Sequence, residues 1–357
     1  MKQSEVLPVA IVFHPNWWHK NYGIKFDKSF FFDPEVRVEN DRLMRQYLFE
    51  RFSDLGLGEQ YAKSRPVVGG VLLAAGYILS GILGCEIRYF DEAPPEVIPA
   101  NLTDDQIREL QPPDICQTSI IRDLLQLFDS LERRFGYLEG DINWEGVQNV
   151  ALNLRGQQFL LDYYMNPDLA KELLDTVFNT IIQFLELIKS KTGTTSISVN
   201  RIVHQVDPGM YLHSNCTLTM ISANTYRDFL LPYDQMLAER FQPYGIHYCG
   251  NDMHKMRNEF AKLEKVSFFD IGWGSDVKLC REALPDKFFS LRLSPERMKS
   301  KSAEEIEKDI EDLLQNATPL HKVGLCCINM DYGTPDENVR KIFEVAKRYR
   351  NTICYQC

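Results

Sequence analysis

From about residue 150 onward, short apolar runs rich in β-branched and aromatic residues alternate with long amphipathic stretches, the rhythm of an α/β protein. The runs "NVALNL" (149–154), "TSISVNRIV" (195–203), "GIHYCG" (245–250), "KVSFFDIG" (265–272), "KFFSLRLS" (287–294) and "KVGLCCINM" (322–330) predict strands. Between and after them, "PDLAKELLDTVFNTIIQFLELIKSK", "SANTYRDFLLPYDQMLAERFQ", "MHKMRNEFAKLE", "SAEEIEKDIEDLLQNA" and "TPDENVRKIFEVAKRYR" carry helical periodicity. Ser302 followed by Glu305 fits a capping box, and Thr334, Pro335 and Glu337 read as cap, first-turn proline and first-turn acid. Helices of this length can cross back over a sheet, as parallel strands require.

No linker-like tract and no repeat divides the 357 residues, and only "DEAPPEVIPANLTDDQ" (91–106) reads as an extended loop. The expectation is therefore α/β: a single (β/α)8 TIM barrel over 1–357 with an elaborated N-terminal segment. An open doubly wound sheet fits less well, because no glycine-rich phosphate loop follows an early strand. One stretch, "VVGGVLLAAGYILSGILG" (67–84), is uncharged and approaches the roughly 20 residues of a membrane span. Its glycines, Tyr77, Ser80 and the immediate return to "CEIRYFDEAPPEV" predict instead a buried helix running into a strand, with no membrane contact.

A hydrophobic fraction of 44% is ample for a large core, and a net charge of -10 with no basic cluster argues against a nucleic-acid partner. The opening "MKQSEVLPVAIVFHP" lacks the order of a secretory signal, so a cytoplasmic location is expected. Nine cysteines, an odd number spread along the chain, fit reduced thiols better than a disulfide framework.

Among those thiols, "GIHYCG" supplies candidate chemistry. Residues i and i+2 of a strand share a face, so His247 and Cys249 project side by side while Tyr248 points away. A catalytic zinc typically takes three protein ligands and keeps one position exchangeable. "GLCCINM" offers Cys326 and Cys327, of which only one can face the same interior. His213, Cys216, Asp207 and Cys280 also occupy loop or strand-end positions. A His/Cys/Cys set favours zinc over magnesium or calcium. A packed strand that happens to contain a histidine and a cysteine is the competing expectation.

Several blocks in order resemble the uroporphyrinogen decarboxylase superfamily, and within it the branch of cobalamin-dependent methyltransferases. They are "RGQQFLLDYYMNPDLAKELLDTVFNTIIQFLE", "LTMISANTYRDFLLPYDQMLAERF", the His-x-Cys-Gly of "GIHYCGN", and the closing Thr-Pro-x-Glu-Asn-Val helix of "GTPDENVRKIFEVAKRY". The resemblance implies a (β/α)8 barrel with its funnel at the strand ends. It implies zinc on His247, Cys249 and a cysteine before the closing Thr-Pro, Cys327 rather than Cys326 because Cys327 is nearer. It also implies methyl transfer between a corrinoid (cobalamin) carried by a partner corrinoid-binding protein and a small-molecule methyl acceptor or donor.

Two departures stand out. "FHPNWWHKNYGIKFD" has no arginine where the decarboxylase branch has Arg-Gln-Ala-Gly-Arg, and "LRLSPERM" replaces the common Gly-Asn-x-x-Pro. Porphyrinogen decarboxylation is therefore not expected. Asp207, Tyr211, His213 and Asn251 are candidates to position substrate or cofactor, and Trp17, Trp18 and Tyr22 to line the funnel mouth. The alternatives are a metal-free lyase on the same barrel, and a tetrapyrrole- or corrinoid-binding protein without catalysis.

Overall fold

The computed structural model describes residues 6–69, 76–193 and 210–354. Its strands are β1 (Val9–Phe13), β2 (Glu86–Arg88), β3 (Glu96–Ile98), β4 (Tyr211–Ser214), β5 (Tyr244–Tyr248), β6 (Val266–Ile271), β7 (Phe288–Leu293) and β8 (Val323–Met330). Strands β2 and β3 pair as a separate antiparallel ribbon in the N-terminal part. The other six form one parallel sheet in the order β1-β8-β7-β6-β5-β4, so the first strand of the chain pairs with the last.

Side-chain alternation divides this sheet into two faces. Ala10 and Val12 of β1, Leu212 of β4, Phe268 of β6, and Cys326 and Ile328 of β8 meet in one small apolar cluster together with Met210. Contributors from both edge strands reach that cluster, so the sheet curls around it. The opposite faces of the strands, with Tyr244, Ile246, Tyr248, Phe269, Ile271, Phe289, Leu291, Leu325 and Cys327, join the larger core under the helices. The described residues thus form a curled parallel α/β sheet of six strands, an arc of the expected barrel.

Strand and helix chemistry account for most of these elements. The 26-residue helix Pro167–Thr192 begins with proline in its first turn and ends on Gly193 in the left-handed conformation. At Ala303–Asn316 both halves of the Ser302/Glu305 capping box are formed. The last helix, Asp336–Cys354, differs from expectation at its start: the buried Thr334 hydroxyl has no hydrogen-bond partner and does not cap it.

Three further expectations change. "NVALNL" is helix, Val147–Arg155, because Val147, Val150, Ala151 and Leu154 recur at helical spacing and bury together, a period that outweighs the β-branched content. Within 67–84, residues 70–75 lie outside the described residues; a short helix, Ile78–Ile82, then leads to β2. No helix among the described residues is long and apolar enough to cross a membrane. "TSISVNRIV" also lies outside the described residues.

Trp17 and Trp18 do not line a funnel mouth. Both are buried on the helix Pro15–Tyr22 that follows β1. Trp17 stacks on Phe13 at 3.9 Å, and Trp18 meets it edge-on at 4.9 Å. Tyr22 stacks on Tyr47 at 4.1 Å. Their large apolar surface is stabilised more by packing against Phe52 and its neighbours than it would be by exposure at a rim.

Candidate metal centre

Strand β5 carries His247 toward the interior of the curled sheet, and Cys249 comes just past its end on the same side. The third member of the group comes from the turn after β4, where Cys216 opens the 3₁₀ helix Cys216–Met220. Donor atoms of Cys216, His247 and Cys249 all lie within 4.8 Å of one another. Three ligands of a tetrahedral zinc would stand about 3.5–3.8 Å apart, so a small contraction would close them on one ion.

The turn bearing Cys216 is clamped from the helix Val147–Arg155. Asn149 donates to the Ser214 carbonyl at 2.9 Å and accepts from the Thr217 backbone N–H at 3.2 Å, while Gln148 donates to the Thr217 carbonyl at 2.8 Å. Beside Cys249, β6 is followed directly by Gly272, where any Cβ would come within 2.0 Å of the Gly250 carbonyl oxygen. The chain therefore needs glycine there for β6 to approach the cysteine loop.

Asp270 stands opposite His247 in the β5–β6 register. Its carboxylate hydrogen-bonds His247 Nδ1, and both groups are buried, at 0% and 1% exposure respectively. On the other side of the ring, Arg292 of β7 places Nη1 3.1 Å from Nε2. A guanidinium only donates, so this contact requires a bare Nε2 and puts the ring proton on Nδ1, donated to Asp270. That is the tautomer of a histidine that binds metal through Nε2.

The electrostatics of the group are strongly coupled. Cys249, exposed at the end of its strand, is pulled down to about 4, chiefly by a hydrogen bond from Cys216, against burial of its sulfur and with help from His247 and Arg292. Cys216 is pushed well above the usual thiol range by the same bond and by burial, so the pair holds one proton and one negative charge. Burial works against ionised Asp270, but His247, Arg292 and Ser290 outweigh it and hold the carboxyl below its ordinary range. For His247, burial opposes the charged ring and Asp270 favours it, with Arg292 opposing; the balance lies above the ordinary value.

The remaining sequence candidates fall elsewhere. Cys327 faces the helices, with Sγ 3.8 Å from the Leu293 carbonyl, because its β8 neighbour Cys326 takes the inward position. Cys326 is inward and fully buried, 3.2 Å from Ser290 Oγ and 3.5 Å from Asp270 Oδ1, and stands outside the cluster. Cys280 is buried on the helix Val277–Ala283 and pushed up to about 12 by burial.

Tyr211 and His213 belong to the outward face of β4, not to the funnel. Tyr211 packs on Phe241. His213 Nδ1 lies 2.6 Å from Asp234, its Nε2 accepts from the Val147 backbone N–H at 3.2 Å, and its ring stacks on Trp144. Both ring nitrogens are thereby spent inside the fold. Asn251 is exposed in the loop two residues past Cys249, and Asp207 lies outside the described residues. Sequence reading missed Asp270 and Arg292; the signal was a single charged residue inside each of two apolar strands, "FFDI" and "LRL".

A family model for uroporphyrinogen decarboxylase (URO-D) matches residues 76–349. The chain belongs to the URO-D family. Within that setting it is similar to a curated relative, the methylated-thiol–coenzyme M methyltransferase of Methanosarcina mazei, at 23% identity over 272 residues, covering 74% of this chain and 68% of the relative. Among solved structures it resembles a methyltransferase from Methanosarcina mazei, with a TM-score of 0.64 at 17% identity over 97% of this chain and 95% of that one. That likeness is one of fold, and it extends through the N-terminal part that the family model leaves unmatched.

Proposed function

We propose that this URO-D family member is a zinc-dependent methyltransferase that moves a methyl group between the corrinoid of a partner protein and a small molecule, on a (β/α)8 barrel of which the six described strands are the arc. The observation that carries this reading is the convergence of Cys216, His247 and Cys249, with Asp270 fixing the histidine tautomer. The methyltransferase name of the relative and the His-x-Cys-Gly motif support the reaction class, and the corrinoid partner is inferred from the branch that motif resembles.

Two thiolates and a neutral imidazole form a soft donor set suited to zinc, and three protein ligands leave one position for a small molecule. In this reading Cys216 supplies the sulfur that the sequence assigned to Cys327. Zinc, when bound, supplies a Lewis-acid centre beside which a thiol stays deprotonated at neutral pH. The chain's own contribution is positional. Asp270 holds the Nδ1 proton so that Nε2 stays unprotonated, Asn149 and Gln148 fix the Cys216 turn, and the exposed end of β5 presents Cys249 at the open side.

Metal content and methyl transfer from methylcobalamin to a simple thiol test the reading together. One zinc per chain is expected in the purified protein. Cys249→Ser and Cys216→Ser should each lose most bound zinc and turnover, while Cys327→Ala keeps both. Zinc retained at full stoichiometry in the Cys216, His247 and Cys249 variants alike would sink the metal centre.

A further inference from the structure

The guanidinium of Arg292 presents a conflict with the metal centre. Alternation along β7 turns Ser290 and Arg292 to the interior while Phe289, Leu291 and Leu293 face the helices. Among the described residues no carboxylate forms an ion pair with Arg292, and its one hydrogen bond goes to His247 Nε2 at 3.1 Å. An inward cation without a paired anion is costly. Here it is offset by the charge of the Cys216/Cys249 pair and of Asp270.

A zinc ion on His247 would stand about 2.0–2.1 Å from Nε2 along the same lone pair. The guanidinium nitrogen, 3.1 Å from the same ring atom, already uses that single lone pair as its acceptor. They cannot occupy it together. We infer that Arg292 is a resident counter-cation of the site, holding the place of the metal at His247 Nε2 until zinc enters and expels its guanidinium toward the open end of the strands. Metal uptake is then an exchange of one cation for another. The site binds zinc more weakly than its three ligands alone would, and loading turns Arg292 from a partner of His247 into a cation at the mouth.

This inference rests on the metal centre proposed above, and the experiment separates the two. Zinc affinity of the full chain is measured by competition with a chromophoric chelator for the unaltered protein, Arg292→Gln and Arg292→Lys. Arg292→Gln is expected to bind zinc at least about tenfold more tightly, the scale on which groups around a metal change its affinity. Arg292→Lys, which keeps a cation, should lie closer to the unaltered protein. Equal or weaker binding by folded Arg292→Gln, with zinc still dependent on His247, overturns the role of Arg292 and leaves the metal centre standing. Absence of zinc binding in all three proteins overturns both.

A second measurement needs no variant. Phenylglyoxal labelling of Arg292, read by peptide mass spectrometry, should rise when zinc is added to the metal-free protein. Labelling that is unchanged or suppressed by zinc counts against expulsion.

Discussion

Cys249 shows how much one side chain takes from its surroundings. Its ionisation comes from a proton shared with Cys216 and from the His247 and Arg292 groups behind it, none of them near in sequence except His247. A thiol held at about 4 is fully ionised throughout the neutral range, since the thiolate form is present above its pKa. In the metal-free protein, iodoacetamide should therefore modify Cys249 first, at a rate that changes little between about pH 6 and 8, whereas an ordinary thiol loses roughly 75-fold over that span. Peptide mapping after brief labelling reads this directly. A steep fall in the Cys249 rate toward pH 6 would show that the sulfur lacks these partners. At the same scale, the Cys326/Cys327 pair shows that nearness to a motif does not place a ligand: one sulfur is spent on Ser290 and Asp270 and the other lies on the far face of β8.

At the scale of elements, β4 contributes to the site through the turn at its end and to stability through its outward face. Asp234, on the helix Leu231–Arg240, accepts from Asn215 at 3.0 Å and from the Tyr226 hydroxyl at 2.7 Å, and pairs with His213. All four groups are buried. Replacing Asp234 by alanine strands three polar groups and is expected to cost about 3–5 kcal/mol, as for a broken buried pair. Urea unfolding monitored by circular dichroism measures it, and a loss under about 1 kcal/mol would mean that the network is relieved by water. The helix Val147–Arg155 is the instructive misreading. Its asparagines look like breaks in a strand, yet on a helix Asn149 reaches the Cys216 turn while Val150 and Leu154 face the core. A strand would have sent successive residues to opposite faces and left that turn without its clamp.

For the whole molecule, the curled sheet brings the ends of β4, β5, β6 and β7 to one place, and the proposed ion would tie the turn after β4 to the end of β5. A ligand that binds only the folded state stabilises it by about 2.7 kcal/mol at a hundredfold excess over its Kd. Zinc should accordingly raise the thermal midpoint of the metal-free protein by a few degrees, and a chelator should reverse the shift. No change on adding zinc to protein that binds it would show that the ion does not bridge the strands as inferred.

The sequence alone determined the alternation of strand and helix, the parallel strands β5 to β8, the capping box at Ser302 and the inward pairing of His247 with Cys249, because each depends on a local period or a contact within a few residues. The URO-D family was readable for the same reason, its motifs being short and contiguous. Only the tertiary structure decided that Cys216 stands beside them, that Asp270 and Arg292 flank the histidine ring, and that His213 and Cys327 face away. Those facts depend on strand register and on the curl of the sheet. Both are set by packing summed over the whole core, and no stretch of a few residues encodes them.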